Sequence, residues 1–144
     1  MKRLFISFIA ILALLTGCNQ SASTSEDISK LAYEWEKAYF DTDYEREQEL
    51  LYEEGSFEVH KSRDKKDSGL KYGNIRYEIY YDESLEQYYV FTDFKSPTGA
   101  NAVKDELLIR KKDDEWKIDK SNSLDIVRED ISGKFEREAC INCK

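Results

Sequence analysis

The chain has 144 residues, 40% of them hydrophobic and 13% aromatic, with a formal net charge of −8 at pH 7. This apolar content excludes a disordered chain, and the length predicts one domain with a single core. The acidic balance excludes duplex nucleic acid as an expected partner, because affinity for the phosphate backbone depends on clustered Lys and Arg.

The N-terminal segment carries the most specific pattern in the sequence. Two basic residues precede an apolar run from Leu4 to Leu15. At 1.5 Å per residue this run extends only about 18 Å, which is too short to cross a hydrocarbon core of about 30 Å. A short apolar run between basic residues and small residues is instead typical of a signal peptide.

The run ends in Leu15-Thr16-Gly17-Cys18, which resembles the lipobox of bacterial lipoproteins. The resemblance implies a lipoprotein signal peptide over residues 1–17, cleavage before Cys18, and a diacylglyceryl group on the Cys18 thiol. Two or more acyl chains, at about 0.8 kcal/mol per buried methylene, hold a protein on its membrane. The resemblance to the lipobox therefore implies a lipid-anchored protein on the extracytoplasmic face of the cell membrane.

Removal of residues 1–17 would leave 20 basic and 30 acidic residues, a net charge of −10. Residues 18–25 are polar and of low complexity, so they predict a flexible tether between the lipid and the domain. Such a tether spans roughly 15 Å, which keeps the domain close to the membrane.

Two helices are predicted next. The pattern from Thr24 to Asp27 is typical of a helix start, and apolar residues from Ile28 to Tyr39 follow helical spacing. The stretch from Tyr44 to Glu54 predicts a second helix that ends at Gly55, a residue suited to a helix C-terminus.

Beyond the helices the hydrophobic period changes to two. Phe57 and Val59 predict a short strand, and residues 75–82 and 88–94 alternate as half-buried strands do. Further strands are predicted around residues 103–111 and 115–119. The expected fold is α+β, with N-terminal helices packed on a four- to five-stranded antiparallel sheet.

This element order resembles the nuclear transport factor 2-like (cystatin-like) roll. Two short segments, residues 38–44 and residues 114–119, carry the resemblance within a domain predicted over residues 26–122. The resemblance implies a sheet with one face against the helices and a conical pocket between them. The remaining residues, 123–144, are called the tail here. Its apolar residues Leu124, Val127, Ile131 and Phe135 predict a short amphipathic helix, although Leu124 and Ile126 could instead extend the last strand.

Aromatic residues of the two central strands are the candidate lining of such a pocket, although ordinary core packing explains them as well. A catalytic pocket would also need an inward-facing carboxylate shielded from water, for which Asp93 is an example. The candidate pocket residues are Tyr77, Tyr81, Tyr89 and Phe91.

Cys140 and Cys143 are close enough in sequence to close a small disulfide, which an extracytoplasmic location favours. Intermolecular pairing, free thiols and a redox or metal role are the alternatives. His60 is the only histidine, and without an identifiable nucleophile it is interpreted as a surface or loop residue rather than a general base. No metal site and no cofactor is predicted, since the acidic run at Asp41 has Arg46 where a calcium loop needs Gly.

These features favour a non-enzymatic binding or assembly module that contacts an envelope protein or machine for secretion, conjugation, competence or exclusion. The tail is the candidate contact, and the acidic charge favours a basic partner surface. The alternative is a small-molecule or lipid carrier, or an isomerase-like enzyme, that uses an aromatic pocket.

Overall fold

The computed structural model of the protein describes residues 24–144. The predicted signal peptide, Cys18 and most of the predicted tether lie outside the described residues. Within them, no helix combines the length and the apolar character needed to cross a membrane.

The described chain forms helices at its N-terminal end and a five-stranded antiparallel sheet. The strand order is β4-β3-β2-β1-β5, so the last strand lies beside the first. The predicted α+β fold, with helices on an antiparallel sheet, is confirmed, and it is consistent with a cystatin-like roll. The elements are α1 (Ser25–Asp41), α2 (Tyr44–Leu50), β1 (Arg76–Asp82), β2 (Gln87–Lys95), β3 (Ala102–Lys112), β4 (Glu115–Ile118), α3 (Lys120–Ser123), α4 (Arg128–Lys134) and β5 (Arg137–Ile141), with a 3₁₀ turn at Tyr72–Asn74 before β1.

Helix α1 begins with a capping box. The Thr24 hydroxyl accepts a hydrogen bond from the Asp27 backbone N–H at 3.2 Å, and the Asp27 carboxylate accepts one from the Thr24 N–H at 3.1 Å. These bonds satisfy two of the donors that a helix start leaves open. The helix ends at Asp41, and its C-cap residue Thr42 has a left-handed φ of 53°. Its buried apolar side chains, which pack on the sheet, are Ile28, Ala32, Trp35 and Ala38.

Strand register divides the side chains of the sheet between two faces. Ile79 pairs with Val90, and both belong to the core shared with α1, so we call this side the inner face. The neighbouring pair, Tyr80 and Tyr89, points to the opposite side, which we call the outer face. The inner face therefore holds the main hydrophobic core.

The structure differs from the sequence-based expectation in the segment after α1. Helix α2 ends at Leu50, four residues before the predicted end, because Leu51 turns extended and forms a bridge with Ile118 of β4. The strand predicted at Phe57 and Val59 is wrong, since these residues lie in a loop. Phe57 is not part of the sheet. The centre of its ring lies 5.4 Å from that of Trp35, so its apolar side chain packs against the core.

The tail also differs from the single helix that was predicted. It contains α4 and then β5, which pairs with β1 and has an irregular register between Ile79 and Tyr80. The Phe135 ring stacks on Tyr89 at 5.6 Å, which places α4 against the outer face. The tail therefore completes the sheet instead of standing apart from the domain predicted over residues 26–122.

Candidate ligand-binding site

A cavity of about 240 Å³ lies between α1, the start of β3 and the start of α3. An apolar cavity of about 150 Å³ is known to hold benzene, so this space suffices for a small organic molecule. Three of its wall residues are aromatic, two are acidic and two are basic. We call it the Glu36 cavity, and its lining residues are Glu36, Tyr39, Phe40, Phe57, Val103, Lys104, Asp105 and Lys120.

Glu36 is the most buried charged residue of the cavity, with 2% of its surface exposed. Helical spacing places it on the same side of α1 as Ala32 and Tyr39, which are four residues before it and three after it. One carboxyl oxygen, Oε1, accepts a hydrogen bond from the Thr92 hydroxyl at 2.7 Å. Thr92 lies on the inner face of β2, so the sheet holds this carboxyl in place.

Burial, together with the nearby Asp105 carboxylate, raises the pKa of Glu36 to about 8, against the opposing effects of Thr92 and Lys120. A carboxyl with such a pKa carries a proton through most of the neutral range. Glu36 can therefore donate a hydrogen bond as well as accept one, which an ionised carboxylate cannot do.

The second charged pair of the cavity is Asp105 and Lys120. The Lys120 ammonium donates to both Asp105 carboxylate oxygens, at 2.8 and 2.9 Å, and it lies 5.9 Å from the ring centre of Trp35. Lys104 sits between two inward residues of β3, so strand alternation directs its side chain to the outer face. The charged side chains that face the cavity are thus two acids and one base.

The four aromatic residues predicted to line a pocket do not meet. Tyr77 pairs with Thr92 on the inner face, whereas Phe91 pairs with Glu78 on the outer face. Tyr81 also faces inward, where its ring lies 4.6 Å from that of Tyr88, and Tyr89 faces outward. The register between β1 and β2 separates the two pairs, and none of the four lines the Glu36 cavity.

Tyr77 is fully buried in the core, and this burial raises the pKa of its hydroxyl. Asp93, the example of an inward carboxylate, lies on the outer face instead. It accepts hydrogen bonds from Arg76 at 3.2 Å and from Arg128 at 2.9 Å, while its Oδ1 is buried without a partner. Glu36 of α1, and not Asp93, places a buried carboxyl beside a cavity on the inner side of the sheet.

His60 lies in a loop, as predicted, but it is not a surface residue. Only 5% of it is exposed, and its Nδ1 lies 2.6 Å from Oε1 of Glu47, a fully buried residue of α2. Burial raises the pKa of Glu47, and the hydrogen bond to His60 partly offsets this effect. The Tyr39 ring, which lines the cavity, has its centre 4.9 Å from that of the imidazole.

Cys140 and Cys143 form a disulfide at the end of β5. Asn142 between them has a left-handed φ of 56°, and its side-chain amide donates to the backbone oxygens of Tyr72 and Ile75 at 3.0 and 2.9 Å. Two strands separate β5 from β3, a distance of about 14 Å at the usual strand spacing. The disulfide therefore does not belong to the Glu36 cavity.

Among residues 24–144, no group of three or more His, Cys, Asp and Glu side chains is arranged to hold a metal ion. No family model matches the chain, and neither a search of curated proteins nor a search of solved structures returns a match.

Proposed function

We propose that this chain is a lipid-anchored protein on the extracytoplasmic face of the cell membrane, and that its domain is a binding module for a small organic molecule. The observation that carries the binding role is the Glu36 cavity. It combines aromatic walls with a buried carboxyl that is held by the sheet. Cavities with apolar walls and a few placed polar groups are the usual form of a small-molecule site.

The anchor is supported by the lipobox pattern that ends in Cys18. The position of the cavity agrees with this arrangement. Helix α1 begins at Ser25, where the tether would end, and Glu36 follows about 17 Å further along the helix axis. The cavity therefore lies toward the end of α1 that is remote from the tether, which would leave it open to the extracytoplasmic space.

Native mass spectrometry of the full chain, released from bacterial membranes in a mild detergent, tests the binding role. We expect a non-covalent ligand that is retained by the native protein and lost from a Val103→Trp variant, whose larger side chain fills the cavity. A matched Val59→Trp variant changes an exposed valine and should keep the ligand. The same spectrum from native protein and Val103→Trp would contradict the proposal, and a ligand converted to a different mass during incubation would indicate catalysis instead.

The anchor is tested separately. Globomycin, which blocks the lipoprotein signal peptidase, should cause a larger precursor to accumulate, and Cys18→Ala should release the chain from the membrane fraction. Membrane retention of the Cys18→Ala chain, together with an unlipidated native protein, would contradict the anchor and leave the cavity assignment standing.

A protein partner in the envelope, such as a secretion, conjugation, competence or exclusion machine, is the second candidate. Two large apolar side chains of the tail favour it, because Leu124 is 80% exposed and Val127 is 48% exposed. Photo-crosslinking from these two positions in cells should capture one protein repeatedly. Leu85, which is 65% exposed in the β1–β2 turn, is the control position and should not capture it. Equal capture from all three positions would argue against the tail as the contact.

A further inference from the structure

The charges around the Glu36 cavity do not balance when Glu36 is ionised. The groups that face Glu36 are Asp105 from β3, Lys120 from α3, and the neutral hydroxyl of Tyr77 from β1. Lys120 is already engaged, since it donates to both oxygens of Asp105 and only 13% of its side chain is exposed. An ionised Glu36, which is only 2% exposed, would therefore lack a cation of its own.

The walls beside Glu36 include three aromatic rings, those of Tyr39, Phe40 and Phe57. The rings of Tyr39 and Phe40 lie 5.3 Å apart, and the rings of Tyr39 and Phe57 lie 6.0 Å apart. Aromatic faces attract ammonium groups because the ring quadrupole is negative above its plane. The Lys120 ammonium near Trp35 shows the same preference within the protein.

We propose that the ligand of the Glu36 cavity is a small organic amine, bound as its cation, whose ammonium group pairs with the Glu36 carboxylate while its apolar body contacts the aromatic walls. This inference rests on the proposed binding function and specifies the ligand class. A carboxylate ligand would instead bring a third negative charge close to Glu36 and Asp105, where burial weakens the screening by water.

Binding of such a cation is coupled to a proton. The empty cavity holds Glu36 as a neutral carboxyl below a pH of about 8. The protonated amine enters, the Glu36 proton leaves to the buffer, and the ammonium replaces it as the positive partner. The affinity should thus increase about fiftyfold between pH 6 and pH 8 and change little above that. A neutral ligand that accepts a hydrogen bond from the protonated Glu36 would show the opposite trend.

The test uses isothermal titration calorimetry of the lipidated full chain in a neutral detergent, with three probes of similar size. These probes are 2-phenylethylamine, 2-phenylethanol and phenylacetate. We expect the amine to bind at least tenfold more tightly than the other two at pH 8. At pH 6.5, titrations in buffers with different ionisation enthalpies should report the release of close to one proton per bound amine.

Glu36→Gln removes the charge and keeps a hydrogen-bonding side chain, so it should abolish the preference for the amine and the proton release while 2-phenylethanol still binds. Glu34→Gln, an exposed position on the same helix, is the matched control and should behave as the native chain. The pH series on the native chain gives an answer even if Glu36→Gln does not fold.

The outcomes distinguish a failure of the amine assignment from a failure of the proposed small-molecule binding function. Tighter binding of 2-phenylethanol or phenylacetate than of the amine overturns the amine assignment and leaves a small-molecule site in place. Amine binding without proton release overturns the role given to Glu36. Absence of binding by all three probes overturns the amine assignment, whereas the binding function itself then depends on whether native mass spectrometry finds a retained ligand.

Discussion

Two glutamates on neighbouring helices are buried to nearly the same extent, but their surroundings give them different roles. Glu47 of α2 pairs with the imidazole of His60 at 2.6 Å. Glu36 of α1 has the Thr92 hydroxyl as its hydrogen-bond partner and borders a cavity. Burial raises the pKa of both carboxyls. A basic partner within the protein makes Glu47 part of the structure, whereas Glu36 is left with space for a partner from outside.

The largest effect that we expect to distinguish the two glutamates is a dependence of the stability of the native chain on pH, caused by Glu36. Glu36 has an ordinary pKa of about 4.5 when unfolded and about 8 when folded. Between these two pH values the folded state therefore binds more protons than the unfolded state. The contribution of Glu36 to the free energy of unfolding is complete below pH 4.5 and is lost as the pH rises to 8. The free energy of unfolding of the native chain relative to Glu36→Gln should fall by about 4 kcal/mol between pH 5 and pH 8.

Urea unfolding followed by circular dichroism at several pH values measures this difference. Glu34→Gln should follow the native curve, because Glu34 is exposed. Parallel curves for the native chain and Glu36→Gln would mean that Glu36 ionises normally, and the contrast between the two glutamates would then disappear.

The next effect concerns Glu47. The variant His60→Leu leaves the buried Glu47 carboxyl without its partner and should lower the free energy of unfolding by about 3 kcal/mol. The double variant Glu47→Leu with His60→Leu removes both polar groups and should regain more than half of that loss, because no unpaired carboxyl remains. Thermal unfolding at pH 7 gives both values. An equal decrease in the free energy of unfolding in the single and double variants would show that side-chain packing, and not the pairing of Glu47 with His60, determines the stability of this region.

The smallest effect is expected at Thr92. The variant Thr92→Val keeps the shape but removes the hydrogen bond to Glu36, so it should cost about 1 kcal/mol. Because this bond lowers the pKa of Glu36, its loss should also shift the pH dependence to higher pH. Thr98→Val, in the exposed loop after β2, is the control, and an identical result for the two variants would contradict the assigned partnership.

Local patterns were sufficient to predict the fold class. The alternation in residues 75–82 and 88–94 predicted two adjacent strands, and the capping pattern at Thr24 predicted the start of α1. The β5 strand was missed because it is short and carries charged residues at its start. Its pairing with β1 depends on a chain reversal through α4, which no local period reports.

The site could not be predicted in the same way. Glu36 stands beside Trp35 in a helical stripe. From the sequence alone, this position fits the edge of the buried face as well as it fits the wall of a cavity. Its partner Thr92 is 56 residues away, and only the packing of α1 on β2 brings them together. Helical spacing that placed Glu36 in line with Ala32 and Tyr39 was the one available signal, and it gave no information about the cavity.

The position of β5 also constrains when the domain can finish folding. Ser25 at the start of α1 and Glu138 of β5 are in hydrogen-bond contact at 3.4 Å, although 113 residues separate them in the sequence. Contacts of such long range are the slowest to form, since a large loop must close first. If the chain is exported with its N-terminus first, as the proposed signal peptide requires, α1 would emerge long before its neighbour in β5. The sheet would then close only after β5 has been translocated, so until that point the nascent domain would expose the edge of β1.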